Sequence, residues 1–306
     1  MLAVFWGCVT VEKVNLQYLG AVFVILIGMV SIQAGASLAK GLFPVLGPPG
    51  TTLLRQGFSA LVLLGLWRPW RYPLSSAQLK PLLAYGAALG VMNLTFYLAL
   101  ARIPLGIAVA LEFVGPLTVA FLSSRRALDF VWALLAAAGI WLVFPGTSAS
   151  GSLDSLDPVG VAFALIAGVC WGLYIWFGKR TSAVLPAGIA TTLGMVIAAG
   201  VAAPFGIAHA GGALLNFSVL PLAFLVAMMT GAIPYSLEMV ALKRLPAHTF
   251  GILMSLEPAV AGMAGLALLG EQLSVRQWTA IGFVMLASLG TAIANAPRPS
   301  MAAGNR

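Results

Sequence analysis

Residues 104–122 read PLGIAVALEFVGPLTVAFL, nineteen residues that carry a single charge, Glu112. A helix needs about 20 mostly apolar residues to cross the hydrocarbon core of a bilayer. Pro104 opens this stretch at the first helical turn, where its missing N–H costs nothing. Pro116 follows the glutamate by about one turn, where it removes a helix hydrogen bond and frees a carbonyl. Such a stretch predicts a membrane span that holds one carboxyl in its interior. Composition extends the reading to the whole chain, with 61% hydrophobic residues and only 8% charged. Soluble domains carry about 25% charged residues. A single soluble core of 306 residues could not hide so much apolar surface, whereas lipid can face it.

Working outward, the same test finds candidate spans at Tyr18–Ala39, Gly50–Trp67, Pro81–Leu100, Pro104–Leu122, Phe130–Pro145, Pro158–Gly178, Pro186–Ala208, Phe217–Leu242, Ala247–Leu269 and Val275–Ala294. That makes ten, joined mostly by short segments. Asp157 and Pro158 read as an N-cap followed by a first-turn proline. With the N-terminus in the cytoplasm, twelve Lys and Arg fall in inner segments and three in outer ones, Lys40, Arg102 and Arg276. The sixteenth, Arg55, lies inside a span. This is a positive-inside bias, and it predicts cytoplasmic termini. The net charge of +8 is therefore a topology signal, and no nucleic-acid partner is implied. Met1–Val11 is apolar but too short to span, and its basic residue, Lys13, follows it. That is the wrong order for a cleaved signal. Residues 1–17 read as a mobile or interfacial tail, or as a misplaced start, and residues 296–306 as a cytoplasmic tail.

The chain also matches itself. At an offset of 140, Gly20, Phe23 and Gly28 fall on Gly160, Phe163 and Gly168, and Thr51, Thr52 and Leu53 on Thr191, Thr192 and Leu193. At 142, Leu100, Arg102 and Pro104 fall on Leu242, Arg244 and Pro246, Pro116 on Pro258, and Asp129 on Glu271. Two five-helix halves follow, residues 18–146 and 157–295. Five is odd, so the second half enters from the opposite face. The predicted fold is thus all-α and integral to the membrane, with ten transmembrane helices in two inverted repeats. Secondary transporters share this plan, with substrate bound near the midplane between the halves.

Charges inside spans cost about 2.5–3.5 kcal/mol each, so those present call for a reason. There are four: Arg55, Glu112, Glu238 and Glu257. Glu112 and Glu257 lie in corresponding spans close to the matched prolines Pro116 and Pro258, though 112 plus 142 gives 254, so they do not align. Either would hold an ammonium group or carry a proton. Alternatively, each is protonated and bonds a neighbouring helix as structural glue. Glu238 either lines the inner mouth or pairs with Lys243 or Arg244. Arg55, about a turn and a half from the outer end of its span, either grips a carboxylate or snorkels to the interface. Gly86, Gly90, Asn93 and Tyr97 share one helical face. Gln33 and Ser37 lie one turn apart, Tyr235 joins Glu238 behind Gly231, and Trp171 and Tyr174 are close on another span. Together these line a polar cavity, or they are ordinary small-residue packing with satisfied polar groups. Gly251, Ser255, Pro258, Gly262 and Gly265 read as packing.

An enzyme is not indicated. GxxxxGK[ST] and HExxH are absent, and residues 146–150 miss GxSxG at the last position. His209 and His248 stand alone. Cys8 and Cys170 have neither CxxC spacing nor a nearby histidine, so no disulfide, metal or cofactor is implied.

Several stretches are similar to the drug/metabolite transporter superfamily of EamA type. They are residues 31–40 (SIQAGASLAK), 103–113 (IPLGIAVALEF) with Gly115 and Pro116, 123–126 (SSRR) with 129–132 (DFVW), and 234–239 (PYSLEM) with Thr249–Gly251 and Glu257–Ala259. The resemblance spans residues 18–295 and implies efflux of small neutral amino acids, of the threonine or homoserine kind, from the bacterial inner membrane by alternating access driven by protons. The implied partners are the amino acid, protons and membrane lipid, in a monomer or homodimer. Export of another metabolite on the same fold, an aromatic amino acid, a nucleotide precursor or a drug, is the alternative, and Trp171 and Tyr174 suit a larger ligand. A membrane-embedded enzyme would need a His, Asp or Cys cluster at one interface, and a passive channel would show flux that does not saturate.

Overall fold

Lipid offers no partner to a backbone N–H or C=O, so a spanning segment must satisfy them internally, and a helix does so within itself. The computed structural model describes residues 16–123, 128–143, 156–234, 237 and 247–294, and among them every regular element is helical. The elements are α1 (Leu16–Lys40), α2 (Phe43–Trp67), α3 (Ser76–Leu100), α4 (Leu105–Glu112), α5 (Val114–Ser123), α6 (Leu128–Val143), α7 (Pro158–Ser182), α8 (Ala187–Ala210), α9 (Leu220–Ala227) with a π-helical turn at Met228–Ala232, α10 (Ala247–Met254), α11 (Glu257–Leu269) and α12 (Val275–Ala294). Among the described residues, five stretches are long and apolar enough to cross a membrane: Gly20–Lys40, Ser76–Leu100, Pro158–Ser182, Ala187–Leu215 and Thr249–Leu269. Leu105–Val119, Phe130–Leu142 and Leu220–Ala232 are shorter apolar helices.

Large apolar side chains such as Phe23, Val30, Leu134, Trp141 and Val169 point outward, while Gln33, Arg55, Gln56, Asn93, Glu112 and Glu257 are buried. Water would drive the reverse arrangement, so the surface is built for lipid.

Besides shifts of a few residues, as at α3, which begins at Ser76 and not at Pro81, the helices differ from the expected spans in two ways. α2 begins at Phe43, seven residues before the expected start, because the chain bends at Gly47 instead of ending there. Gly47 has φ +63°, a conformation open to glycine, and the His209 ring occupies the space a Cβ would need. Arg55 therefore lies mid-helix, and it is 5% exposed, too deep to snorkel. The second difference is that Pro104–Leu122 is two helices broken at Phe113, and Ala247–Leu269 is two broken at Ser255 and Leu256. α4 and α10 are each eight residues long, and their bounds differ by 142 throughout.

These breaks are held by close backbone contact. A Cβ on Gly115 would collide with the Gly168 carbonyl oxygen, and one on Gly168 would lie 2.8 Å from the Glu112 oxygen. A Cβ on Gly106 would lie 2.6 Å from Gly262 Cα. α4 thus sits on α11, and α5 on α7, at distances only glycine permits. Gly86 and Gly90 likewise press on α8, at Ile197 and Ala198.

The helix ends sort into two groups. Arg102 bonds Asp157 at 2.8 Å and Lys40 bonds Glu271 at 2.6 Å, with Gly160 packed on Arg102 and Ile103. At the other end Trp67 covers Gly188, and Gln78 Nε2 donates to the Val184 carbonyl at 2.7 Å. Arg68, Arg71, Lys80, Lys179 and Arg180 gather at this second end.

Candidate functional site

The buried polar residues converge where α1, α2, α3, the α4–α5 break, the π turn and α11 meet. Arg55 is the hub. Its Nη1 donates to Thr230 Oγ1 at 3.1 Å, its Nη2 donates to Asn93 Oδ1, and its guanidinium lies 4.9 Å from the Tyr97 ring centroid. Asn93 is itself held by its amide nitrogen, which donates to the Leu89 carbonyl at 2.8 Å. Tyr97 Oη points at Thr230 without a well-aligned hydrogen bond. Thr230 is presented by the π turn, and its hydroxyl also donates to the Val226 carbonyl at 2.7 Å. Such single π turns often mark functional positions.

The carboxyls stand opposite. Glu112 ends α4 at one helix break and Glu257 begins α11 at the other. They are 7% and 6% exposed. They lie close enough to feel each other's charge, and Glu112 also feels that of Arg55. Gln33 Nε2 donates to Glu257 Oε1 at 3.2 Å, and Ser37 donates back to the Gln33 carbonyl at 2.9 Å. Gln33 Oε1, Arg55 Nε and Tyr97 Oη in this cluster are buried with no hydrogen-bond partner. A buried unpaired polar group costs roughly 1–3 kcal/mol, so each invites a ligand or water.

The remaining candidates separate. Trp171 meets Phe113, the residue at the first break, edge to face at 5.2 Å. Tyr174 stacks on Tyr85 at 4.9 Å and lines a cleft of about 250 Å³ near the basic end, away from Arg55. Tyr235 and Glu238, and the cations Lys243 and Arg244, lie outside the described residues.

Sequence reading missed Thr230, Gln56 and Glu271. Thr230 depends on the π turn, which no pattern announces. Gln56 is fully buried with both amide atoms unpartnered. A glutamine inside a span was a visible signal. Glu271 was noted only as a repeat match, but it pairs with Lys40. No group of three or more His, Cys, Asp or Glu able to hold a metal occurs among the described residues.

The chain has relatives among known proteins. The family model of the EamA-like transporters matches residues 158–293. The threonine/homoserine exporter RhtA of Escherichia coli (strain K12) is 48% identical over 273 residues, covering 89% of this chain and 91% of that protein. The chain belongs to the EamA-like transporter family. It is accordingly a membrane transporter and not an enzyme. RhtA of Salmonella typhimurium (strain SL1344) is 47% identical with the same coverage. One solved crystal structure, 20% identical, superposes with a TM-score of 0.55 over 92% of this chain and 99% of the other, a likeness of fold alone.

Proposed function

We propose that this EamA-like transporter exports small neutral amino acids, of the threonine or homoserine kind, across the bacterial inner membrane in exchange for protons. The substrate class is supported by the exporters that are 48% and 47% identical over nearly the whole chain. The observation that carries the mechanism is a pair of buried carboxyls at the centre, Glu112 and Glu257, close enough to feel each other's charge, with the Arg55 guanidinium felt by Glu112. A buried carboxyl either keeps a proton or, once ionised, needs a cation beside it, and the substrate ammonium can be that cation. Because both compete for one place, binding is mutually exclusive, and exclusive binding at one site is what exchange requires. Arg55 Nε and Gln33 Oε1, which lack partners, face the substrate. Arg55, with Tyr97 and Asn93 beside it, takes the carboxylate, while the glutamates and Gln33 take the ammonium.

Ten spans in two inverted five-helix repeats, residues 18–146 and 157–295, provide the movement. The matching eight-residue helices α4 and α10, set 142 residues apart and each followed by a break, support that symmetry. The end that gathers Arg68, Arg71, Lys80, Lys179 and Arg180 faces the cytoplasm by the positive-inside rule, and the termini lie on that side. In alternating access the halves exchange conformations and turn the centre from one face to the other.

Uptake of radiolabelled threonine and homoserine into everted vesicles tests this reading. Saturable uptake that rises with an inside-acid gradient and collapses with a protonophore is expected. No uptake by vesicles that contain the protein would remove the substrate assignment, and a competition panel of aromatic amino acids and other metabolites would follow.

A further inference from the structure

A transporter that opens at each end in turn needs something to hold each end shut, and an ion pair stands at one of them. Lys40, the last residue of α1, lies 2.6 Å from Glu271 Oε1. The other carboxylate oxygen, Oε2, accepts the backbone N–H of Leu105, the first residue of α4, at 2.8 Å. The Glu271 N–H donates to the Gly265 carbonyl in α11 at 3.0 Å, and a Cβ on Gly265 would lie 2.5 Å from Oε2. Glu271 thus ties α1 and α4, through its carboxylate, and α11, through its backbone N–H, to the approach to α12. Lys40 and Leu105 come from the first half of the sequence and Glu271 from the second. The two side chains are only 24% and 14% exposed, so water screens their attraction incompletely.

The sequence offsets carry this constellation to the opposite end. An offset of 140 takes Lys40 to Arg180, and one of 142 takes Glu271 to Asp129 and Leu105 to Ala247. Ala247 opens α10 as Leu105 opens α4. Arg180 is twenty residues along α7 from Gly160, which packs on Arg102, and at 1.5 Å per residue that is about 30 Å away. Gly115 meets Gly168 and Gly172 meets Val119, so α5 and α7 run side by side. In that register Arg180 lies beyond the end of α5 at Ser123, in the direction in which the chain goes on to α6, and Asp129 is the second residue of α6. The Arg180 guanidinium rests 3.6 Å from the Trp176 ring centroid.

We propose that Lys40–Glu271 and Arg180–Asp129 are alternating latches, the first closing the outer end and the second the inner end, never both together. The proposal rests on the alternating-access reading above. In this structure the outer latch is made. The Arg180 guanidinium rests on the Trp176 ring in a cation–π contact.

Ala108 is fully buried and shares a helical face with Leu105, under the latch, and Glu112, at the centre. A reporter, Ala108→Cys, is made in a background lacking Cys8 and Cys170 and labelled on intact cells with a membrane-impermeant maleimide. With both latches native, labelling is slow. Lys40→Met raises the rate several-fold, Lys40→Arg keeps it slow, and Arg180→Met slows it further. An unchanged rate in Lys40→Met overturns the outer latch. An unchanged or faster rate in Arg180→Met overturns the alternation. No substrate is needed, so a chain that carries something other than an amino acid still gives the expected pattern if the latches exist.

Discussion

At Arg55, three contacts converge on a single side chain that the span's apolar neighbours would have left to chance. A guanidinium can reach Thr230, Asn93 and the Tyr97 face together because its donors are fixed in a planar fork. An ammonium cannot. Arg55→Lys should therefore raise the KM for substrate by about tenfold or more, roughly 1.4 kcal/mol, with the protein still inserted. Initial uptake rates in everted vesicles measure this. For the carboxyls, Glu112→Gln and Glu257→Gln keep the size and a hydrogen-bonding group while removing the proton site. Each should abolish the dependence of uptake on the pH gradient. A variant with native rates and a native pH profile would remove the coupling role from that residue.

The elements around this centre owe their shapes to the breaks. α4 stops at Glu112 because Pro116 cannot donate to the Glu112 carbonyl and because α7 presses in at Gly168. Gly115→Ala drives a methyl into the Gly168 carbonyl, backbone against backbone, so neither side yields cheaply. A loss of about 1–3 kcal/mol is expected, read as a lower melting temperature in detergent. At the start of α7, the Asp157 side chain accepts the Val159 N–H at 2.8 Å and pairs with Arg102. The Arg102 hydrogen bond, then the Val159 N–H, hold the Asp157 carboxyl below the ordinary aspartate range. A carboxyl lowered in this way stabilises the fold above its unfolded pKa, about 3.9, and that contribution fades as pH falls through the lower folded value. Asp157→Ala should thus melt earlier than the native chain at about pH 6, and the gap should narrow toward about pH 3. An equal gap at both pH values would mean that the carboxylate charge contributes nothing.

Across the whole molecule, the two ends carry different charges. Among the described residues, five basic ones crowd one end, while at the other Lys40 and Arg102 are paired with Glu271 and Asp157. An end rich in lysine and arginine stays on the cytoplasmic side during insertion. A cysteine at Ser218, beside the outer end of α9, should label with an impermeant reagent on intact cells. One at Ser76, at the start of α3, should label only after permeabilisation. The reverse pattern would invert the topology and the direction of transport with it.

The sequence by itself determined that this chain is helical and lies in a membrane, and which family it belongs to. Hydropathy and span length depend only on composition along the chain, and lipid permits few folds for such segments. It also singled out Arg55, Glu112, Glu257, Asn93, Tyr97 and Gln33, because a polar group in an apolar span is costly wherever it points. What it left open was the partner of each. Arg55 could have reached the interface, and only the bend at Gly47 and the packing of α2 against α3 and the π turn turned it inward. Trp171 and Tyr174, three residues apart on one helix, went to different neighbours, Phe113 and Tyr85. Thr230 and Glu271 gained their roles from residues far away in the sequence, Arg55 and Lys40. Which groups meet across helices is fixed by close packing at glycines such as Gly106, Gly115 and Gly168. That is a property of two surfaces together, and no single stretch of sequence contains it.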